Sequence, residues 1–148
     1  RENVMSQSLI DTAKASILAY NDKNWDAVNT VLTSDIEYDE VATHRKVNGT
    51  ADVIAAWRGW ATALPDSKAT FGAAHASGNT AVIELTWHGT HTGPLQMPSG
   101  AVPGSGKRIE MRAVQIIGLT PEGKTRTVRH YFDMATMLTQ LGIGAVGA

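Results

Sequence analysis

Apolar residues recur at three- and four-residue steps through the first part of the chain and at two-residue steps through most of the rest. Within residues 8–20, Leu9, Ala13, Ile17 and Tyr20 share one face, the spacing of an amphipathic helix. Ser8 with Asp11 three positions on resembles a capping box in which Asp replaces Glu. Asn21-Asp22-Lys23-Asn24 ends that pattern, and Trp25, Val28, Val31 and Leu32 mark a short second helix. Residues 35–41 read as a strand with Ile36 and Tyr38 on one side, followed by a polar loop over 44–49. Thr50 is placed to cap a third helix, whose apolar face of Val53, Ile54, Trp57, Trp60, Ala61 and Leu64 stops at Pro65.

After Asp66 the period changes to two. Residues 69–76, 81–92, 108–119 and 125–132 are strand candidates, divided by Ser77-Gly78-Asn79, a Gly/Pro-rich loop and Pro121-Glu122-Gly123. A last short helix starts at Met134, with Gly142 as its C-cap. Helices segregated from an antiparallel meander define the α+β class. The expected architecture is one domain over residues 5–148, with 1–4 a disordered or non-native lead-in. Its curved, mainly antiparallel sheet wraps around the N-terminal helices, with the first and third on its concave side. Such a sheet leaves a pocket at its open end, suited to a small apolar ligand.

Composition narrows the function classes. A length of 148 residues, 43% hydrophobic and 18% charged, is that of one ordinary globular domain. A net charge of -1 gives no field to attract nucleic acid or an anionic membrane, so neither is an expected partner. The absence of cysteine excludes disulfides and thiolate metal sites. No apolar run has the length of a membrane span or a signal core, and a cytoplasmic location is expected. His44, His75, His88 and His130 show no metal-ligand spacing, and a strand would send His88 and His91 to opposite faces, so no metal site is expected.

Three stretches carry a family resemblance. They are Pro65-Asp66 closing a Trp-bearing helix, the run Gly89-Thr90-His91-Thr92-Gly93, and Tyr131-Phe132-Asp133 followed by Gln140-Leu141-Gly142. Together they resemble the SnoaL-like polyketide cyclases of the nuclear transport factor 2-like superfamily, which also holds ketosteroid isomerases and limonene epoxide hydrolases. The resemblance spans most of the chain, from Ile10 to Gly142. It implies a cystatin-like, cone-shaped fold and cofactor-independent chemistry on an apolar carbonyl compound, by intramolecular aldol closure or a related isomerisation or dehydration. It also implies that Asp133 is the acid/base of that chemistry. The chain departs from the family in a longer loop at 99–106 and in Arg129, where many members carry Trp.

The residues themselves leave two roles open for Asp133, a tuned acid/base or a helix N-cap. By strand alternation Asp133, Tyr131 and Arg129 share a face. Burial among aromatics would raise the carboxyl pKa, while Arg129 and the helix N-terminus would lower it. His91, on the face of Leu85, Trp87 and Gly89, is the second catalytic candidate, for polarising a carbonyl. Tyr131 could donate to an oxyanion, and Arg129 could bind a ligand carboxylate or enolate or pair with Asp133 or another acid. Of Tyr38 and Asp39 one should line the pocket, and parity does not choose between them. Trp57, Trp87, Ile109 and Met111 complete the expected wall. The competing readings are an epoxide hydrolase-like enzyme using Arg129, Asp133 and Asp39, and a non-catalytic binder of a small hydrophobic molecule. Apolar residues on both faces of a strand, such as Val114, Ile116 and Ile117, predict a homodimer or larger even oligomer.

Overall fold

The computed structural model describes residues 2–143. Helices α1 (Glu2–Ala13) and α2 (Ala15–Asn21) replace the single helix expected over 8–20. The interruption at Lys14 is slight, because Lys14 N–H still donates to Ile10 O and Leu18 N–H to Lys14 O. Ile10, Ala13, Ile17 and Tyr20 therefore stay on one buried face. The helix starts at Glu2, so the lead-in expected to be disordered is helical from that residue. α3 (Trp25–Val31) is capped by Asn24, whose side chain accepts from Ala27 N–H. α4 (Thr50–Ala63) has Gly49, not Thr50, as its N-cap, and the Thr50 hydroxyl donates instead to Thr33 O.

The strands are β1 (Leu32–Glu40), β2 (Arg45–Asn48), β3 (Lys68–Ser77) and β4 (Thr80–Thr90), then β5 (Leu95–Met97) and β6 (Gly100–Val102), then β7 (Arg108–Leu119) and β8 (Thr125–Phe132). α5 (Met134–Leu141) closes the described chain, with Gly142 at φ 69° as the left-handed C-cap that its sequence predicts. Six strands form one sheet in the order β2-β1-β8-β7-β4-β3. All pairs are antiparallel except β1 with β8. The sheet is thus mainly antiparallel, as the alternation predicts. β2 and the β5–β6 hairpin were expected as loops. Strands of three or four residues are too short to display a period.

The concave face carries Ile36 and Tyr38 of β1, Ile83 and Leu85 of β4, Ile117 of β7 and Val128 of β8. These pack on Ile17, Tyr20, Val28, Val53 and Trp57 from the helices. A second cluster joins Leu64, Leu95, Ile109, Met111, Met137 and Leu141 around α5. Burying side chains of this size contributes about 1.5–3 kcal/mol each, which is why the helices settle inside the sheet's curve.

The run Gly89-Thr90-His91-Thr92-Gly93 fastens the end of β4 to the end of α4. Asp66 accepts from the Thr90 N–H at 2.7 Å and the Thr90 hydroxyl at 2.8 Å. Gly93 N–H donates to Ala63 O at 3.1 Å, and a Cβ on Gly93 would overlap the carbonyl oxygen of Thr62. Backbone cannot retreat as a flexible side chain can. Gly93→Ala should therefore lose roughly 1–3 kcal/mol, as overpacked sites do. Urea unfolding would read this as a lower midpoint at unchanged slope. An unchanged midpoint would show that α4 and this turn separate freely.

Candidate functional site

Between the helices and the concave sheet lies an apolar cavity with an open mouth. Ser16, Ile17 and Tyr20 face it from α2, Trp57 and Trp60 from α4, and Met137 from α5. The sheet contributes Tyr38, Trp87, Ile109, Met111, Gln115 and His130, with Phe132 at the end of β8. Aromatic and aliphatic carbon dominates this wall, with few polar atoms, as ligand sites require.

The polar groups on one side form a chain. Glu40 ends β1 and is 0% exposed. It shares the concave face with Ile36 and Tyr38 by alternation. Its Oε1 accepts from the Thr43 hydroxyl at 2.6 Å and from Arg45 at 3.0 Å. Its Oε2 accepts from the Tyr38 hydroxyl at 2.7 Å and from Trp60 Nε1–H at 2.8 Å. Burial alone would push the Glu40 pKa up. The hydrogen bonds from Thr43 and Tyr38, the Arg45 charge and the Trp60 indole outweigh it and hold the carboxyl below its ordinary value. Burial and the adjacent Glu40 charge in turn raise the Tyr38 pKa well above 10, so the phenol keeps its proton.

His130 continues the chain. Its Nδ1 lies 2.9 Å from the Tyr38 oxygen, and its Nε2 accepts from Trp87 Nε1–H at 3.1 Å. An indole nitrogen can only donate, so the neutral ring carries its proton on Nδ1. That proton points to Tyr38, whose own proton points to Glu40. Burial pulls the His130 pKa down to about 4, with the Glu40 charge only partly opposing it. At neutral pH the imidazole is uncharged, with a lone pair facing the indole. Sheet register fixes this arrangement, since Glu40 pairs with His130 across β1 and β8, and Gln115 pairs with His130 across β7 and β8.

A model of the SnoaL-like polyketide cyclase family matches residues 10–141. The chain belongs to that family. No functionally curated protein matches the sequence. Among solved structures, a proposed SnoaL-like polyketide cyclase from Jannaschia sp. CCS1 superposes with a TM-score of 0.78 at 18% identity, covering 94% of each chain. A Catenulispora acidiphila protein with a ketosteroid isomerase-like fold, in complex with trimethylamine, gives 0.74 at 19% identity, covering 93% of this chain and 95% of that one. An epoxide hydrolase of the LEH-like type from M. tuberculosis gives 0.71 at 17% identity, covering 97% and 96%. Likenesses this distant show the shared fold.

Within this SnoaL-like fold the expected site residues divide. Tyr38, Trp57, Trp87, Ile109 and Met111 line the cavity as expected. Of the pair left open by parity, Tyr38 faces in and Asp39 does not. Asp133, Tyr131 and Arg129 were expected on the pocket side, and the structure corrects this: they lie on the other face, with Tyr131 41% exposed. The alternation was right and its phase was wrong, because Val128 and His130 are the inward residues of β8. Asp133 is the N-cap of α5, accepting from Ala135 N–H at 3.0 Å and from the Thr136 hydroxyl at 2.8 Å. Thr136 and the Ala135 amide hold its carboxyl below the usual value, the direction expected of the helix N-terminus and not the rise expected of burial among aromatics.

His91 is also displaced from its expected role. It is fully buried beyond the end of β4 and outside the cavity lining. Its Nδ1 accepts from Ser105, whose hydroxyl is 2.9 Å away and whose N–H is 3.3 Å away. Its backbone bonds Lys107 O and Gly106 N–H, so His91 pins the loop that follows β6.

Sequence reading missed Glu40, Gln115, Ser16 and His130. Two signals were available. Glu40 stands two residues after Tyr38 and four after Ile36, and His130 two after Val128. Each continues an apolar row with a polar residue.

Proposed function

We propose that the cavity binds a small apolar carbonyl compound and that His130 moves the proton on the carbon beside the carbonyl. The observation that carries this reading is the neutral imidazole on the cavity wall, tied through Tyr38 to the buried Glu40 carboxylate. The C–H bond breaks, its proton joins His130 Nε2, and the electron pair moves onto the carbonyl oxygen. The Trp87 indole N–H, released from Nε2, donates to the enolate oxygen that forms. Glu40 balances the imidazolium through Tyr38, and the proton then returns to carbon or to a leaving oxygen. A base with a pKa of about 4 is weak, so the reading favours carbons acidified by a second group beside the carbonyl, a further carbonyl as in an aldol-type cyclase substrate or an aryl ring as at C1 of 2-tetralone. Asp133 keeps the role of a helix cap. The cavity lining holds neither Arg nor Asp among the described residues, so an epoxide-opening set has no support there.

The test is NMR-detected exchange of solvent deuterium into 2-tetralone. The wild-type protein and Asp133→Asn should both accelerate exchange, and His130→Phe should not. Exchange lost in Asp133→Asn and kept in His130→Phe would return the role to Asp133. Tight binding with no exchange in the wild type would make the protein a binder.

Copies of the chain should also pair through the outer sheet face, where Tyr131 is exposed and Phe71, Glu84, Arg112 and Val114 border a shallow groove. Ile117 takes no part, being buried on the concave side. Light scattering at micromolar concentration should give a dimer or larger even mass, and a monomer mass would overturn this pairing.

A further inference from the structure

Of the polar groups on the cavity wall outside the relay, the Tyr20 and Ser67 hydroxyls bond each other at 2.7 Å, which leaves Ser16 and Gln115. Ser16 is 1% exposed and lines the cavity from α2, and its Oγ is buried without a hydrogen-bond partner among the described residues. Hydroxyls inside helices commonly bond the carbonyl four residues back. Thr12, Thr30 and Thr62 do so here, to Ser8, Asp26 and Arg58. Ser16 does not. Buried polar groups are normally satisfied, so an orphan on a cavity wall points to a partner that arrives with the ligand.

Gln115 is the second group. The inward row of β7 reads Ile109, Met111, Ala113, Gln115, Ile117, Leu119, and Gln115 is 5% exposed. An amide, one donor and one acceptor group, thus stands where the strand otherwise places only apolar side chains. Its register partners are Ile83 and His130, so it sits beside the imidazole. No lining residue is Lys, Arg, Asp or Glu.

We propose that Ser16 and Gln115 form a second polar anchor, which selects ligands bearing an uncharged hydroxyl or carbonyl in addition to the reacting ketone and rejects those bearing a carboxylate. A hydroxyl both donates and accepts, matching the serine and the amide. A carboxylate would lose its hydration with no cation facing it. The anchor rests on the carbonyl-binding reading above, which places the reacting end of the ligand at His130.

Calorimetric titration of 2-tetralone, its ring-hydroxylated congeners and the matching ring-carboxylated compounds tests this on the wild type, Ser16→Ala and Gln115→Met. At least one hydroxylated congener should bind the wild type about three- to tenfold tighter than 2-tetralone, the weight of one net hydrogen bond. In each variant that gain should vanish, the hydroxylated congener binding it no tighter than 2-tetralone does. The carboxylated counterpart should bind at least about tenfold more weakly than 2-tetralone. Ser16→Ala should also raise the unliganded Tm by ~2–4 °C, because it removes an unsatisfied hydroxyl. A lowered Tm would show the hydroxyl to be structural and overturn its part in the anchor. Binding of 2-tetralone with no hydroxyl gain, or a gain that survives in either variant, overturns the anchor alone. No binding of any tetralone overturns the carbonyl reading and the anchor together.

Discussion

Replacing His130 by Phe should cut catalysed proton exchange by about two to four orders of magnitude, the usual weight of general acid–base catalysis. Phe occupies a similar volume among Tyr38, Trp87 and Phe132, whose rings already surround the imidazole with centroids 4.9–6.1 Å away. The fold should therefore survive. Tyr38 still donates to Glu40, while its oxygen loses the Nδ1 donor and the Trp87 N–H loses its acceptor, the latter at a cost of about 1–3 kcal/mol if no water reaches it. Tyr38→Phe is the informative companion. It cuts the link to Glu40 while leaving the imidazole in place, so it should lower exchange by roughly ten- to a hundredfold and shift the pH profile of the reaction. That shift marks Tyr38 as a positioning residue, since lost packing alone would scale the rate at every pH. Asp133→Asn should exchange at nearly the wild-type rate. A folded His130→Phe protein with wild-type exchange would sink the assignment.

Stability should fall by roughly 3 kcal/mol between about pH 6.5 and pH 4, and His130 should account for most of it. Its folded pKa is depressed to about 4 from the ordinary 6.5. The unfolded chain therefore takes up a proton in this window that the folded chain refuses. Stability rises with pH wherever the unfolded state binds more protons, so this contribution is complete above pH 6.5 and lost as pH falls toward 4. A difference of about 2.5 units at about 1.4 kcal/mol each gives the size. Glu40, held below its ordinary 4.5, adds a loss only at still lower pH, as its carboxyl protonates. Urea denaturation across pH 4–7 measures the slope. His130→Phe should flatten it above pH 4.5, and an unchanged slope in that variant would mean that other groups carry the effect.

The fold was legible because its signals are long. Strands β3, β4, β7 and β8, each of eight or more residues, and a Trp-bearing helix repeat their pattern several times, and three short motifs then pointed to the family. The pieces misread were short or locally ambiguous. β2 has one half-buried apolar residue, Val47, in four positions, and the β5–β6 hairpin is hidden among Gly and Pro. For the site, period was readable and phase was not. On β8, Tyr131 looks as fit for a core as His130, and no propensity separates a buried neutral histidine from an exposed tyrosine. Only packing against Trp87 and Tyr38 decides it. A site anchored on the terminal Asp133 therefore inherited the wrong face, whereas on β7 Ile109 and Met111 do line the cavity, and on β1 parity left Tyr38 and Asp39 undivided.

Core and cavity wall are written in one alternation, with Ile36 and Tyr38 leading to Glu40, Val128 to His130, and Ala113 to Gln115. Losing a single residue between Thr125 and His130 would turn a neutral ring outward and swing the Arg129 guanidinium into an apolar interior. A deletion here that no bulge absorbed would therefore disturb stability and chemistry together. The segment 94–106 carries no such phase, yet it touches the cavity wall through Leu95, which packs with Leu64, Ile109, Met111 and Met137. The cavity can thus be reshaped by two routes that keep the phase: side-chain exchange on the inward rows, and insertion or deletion in that one segment.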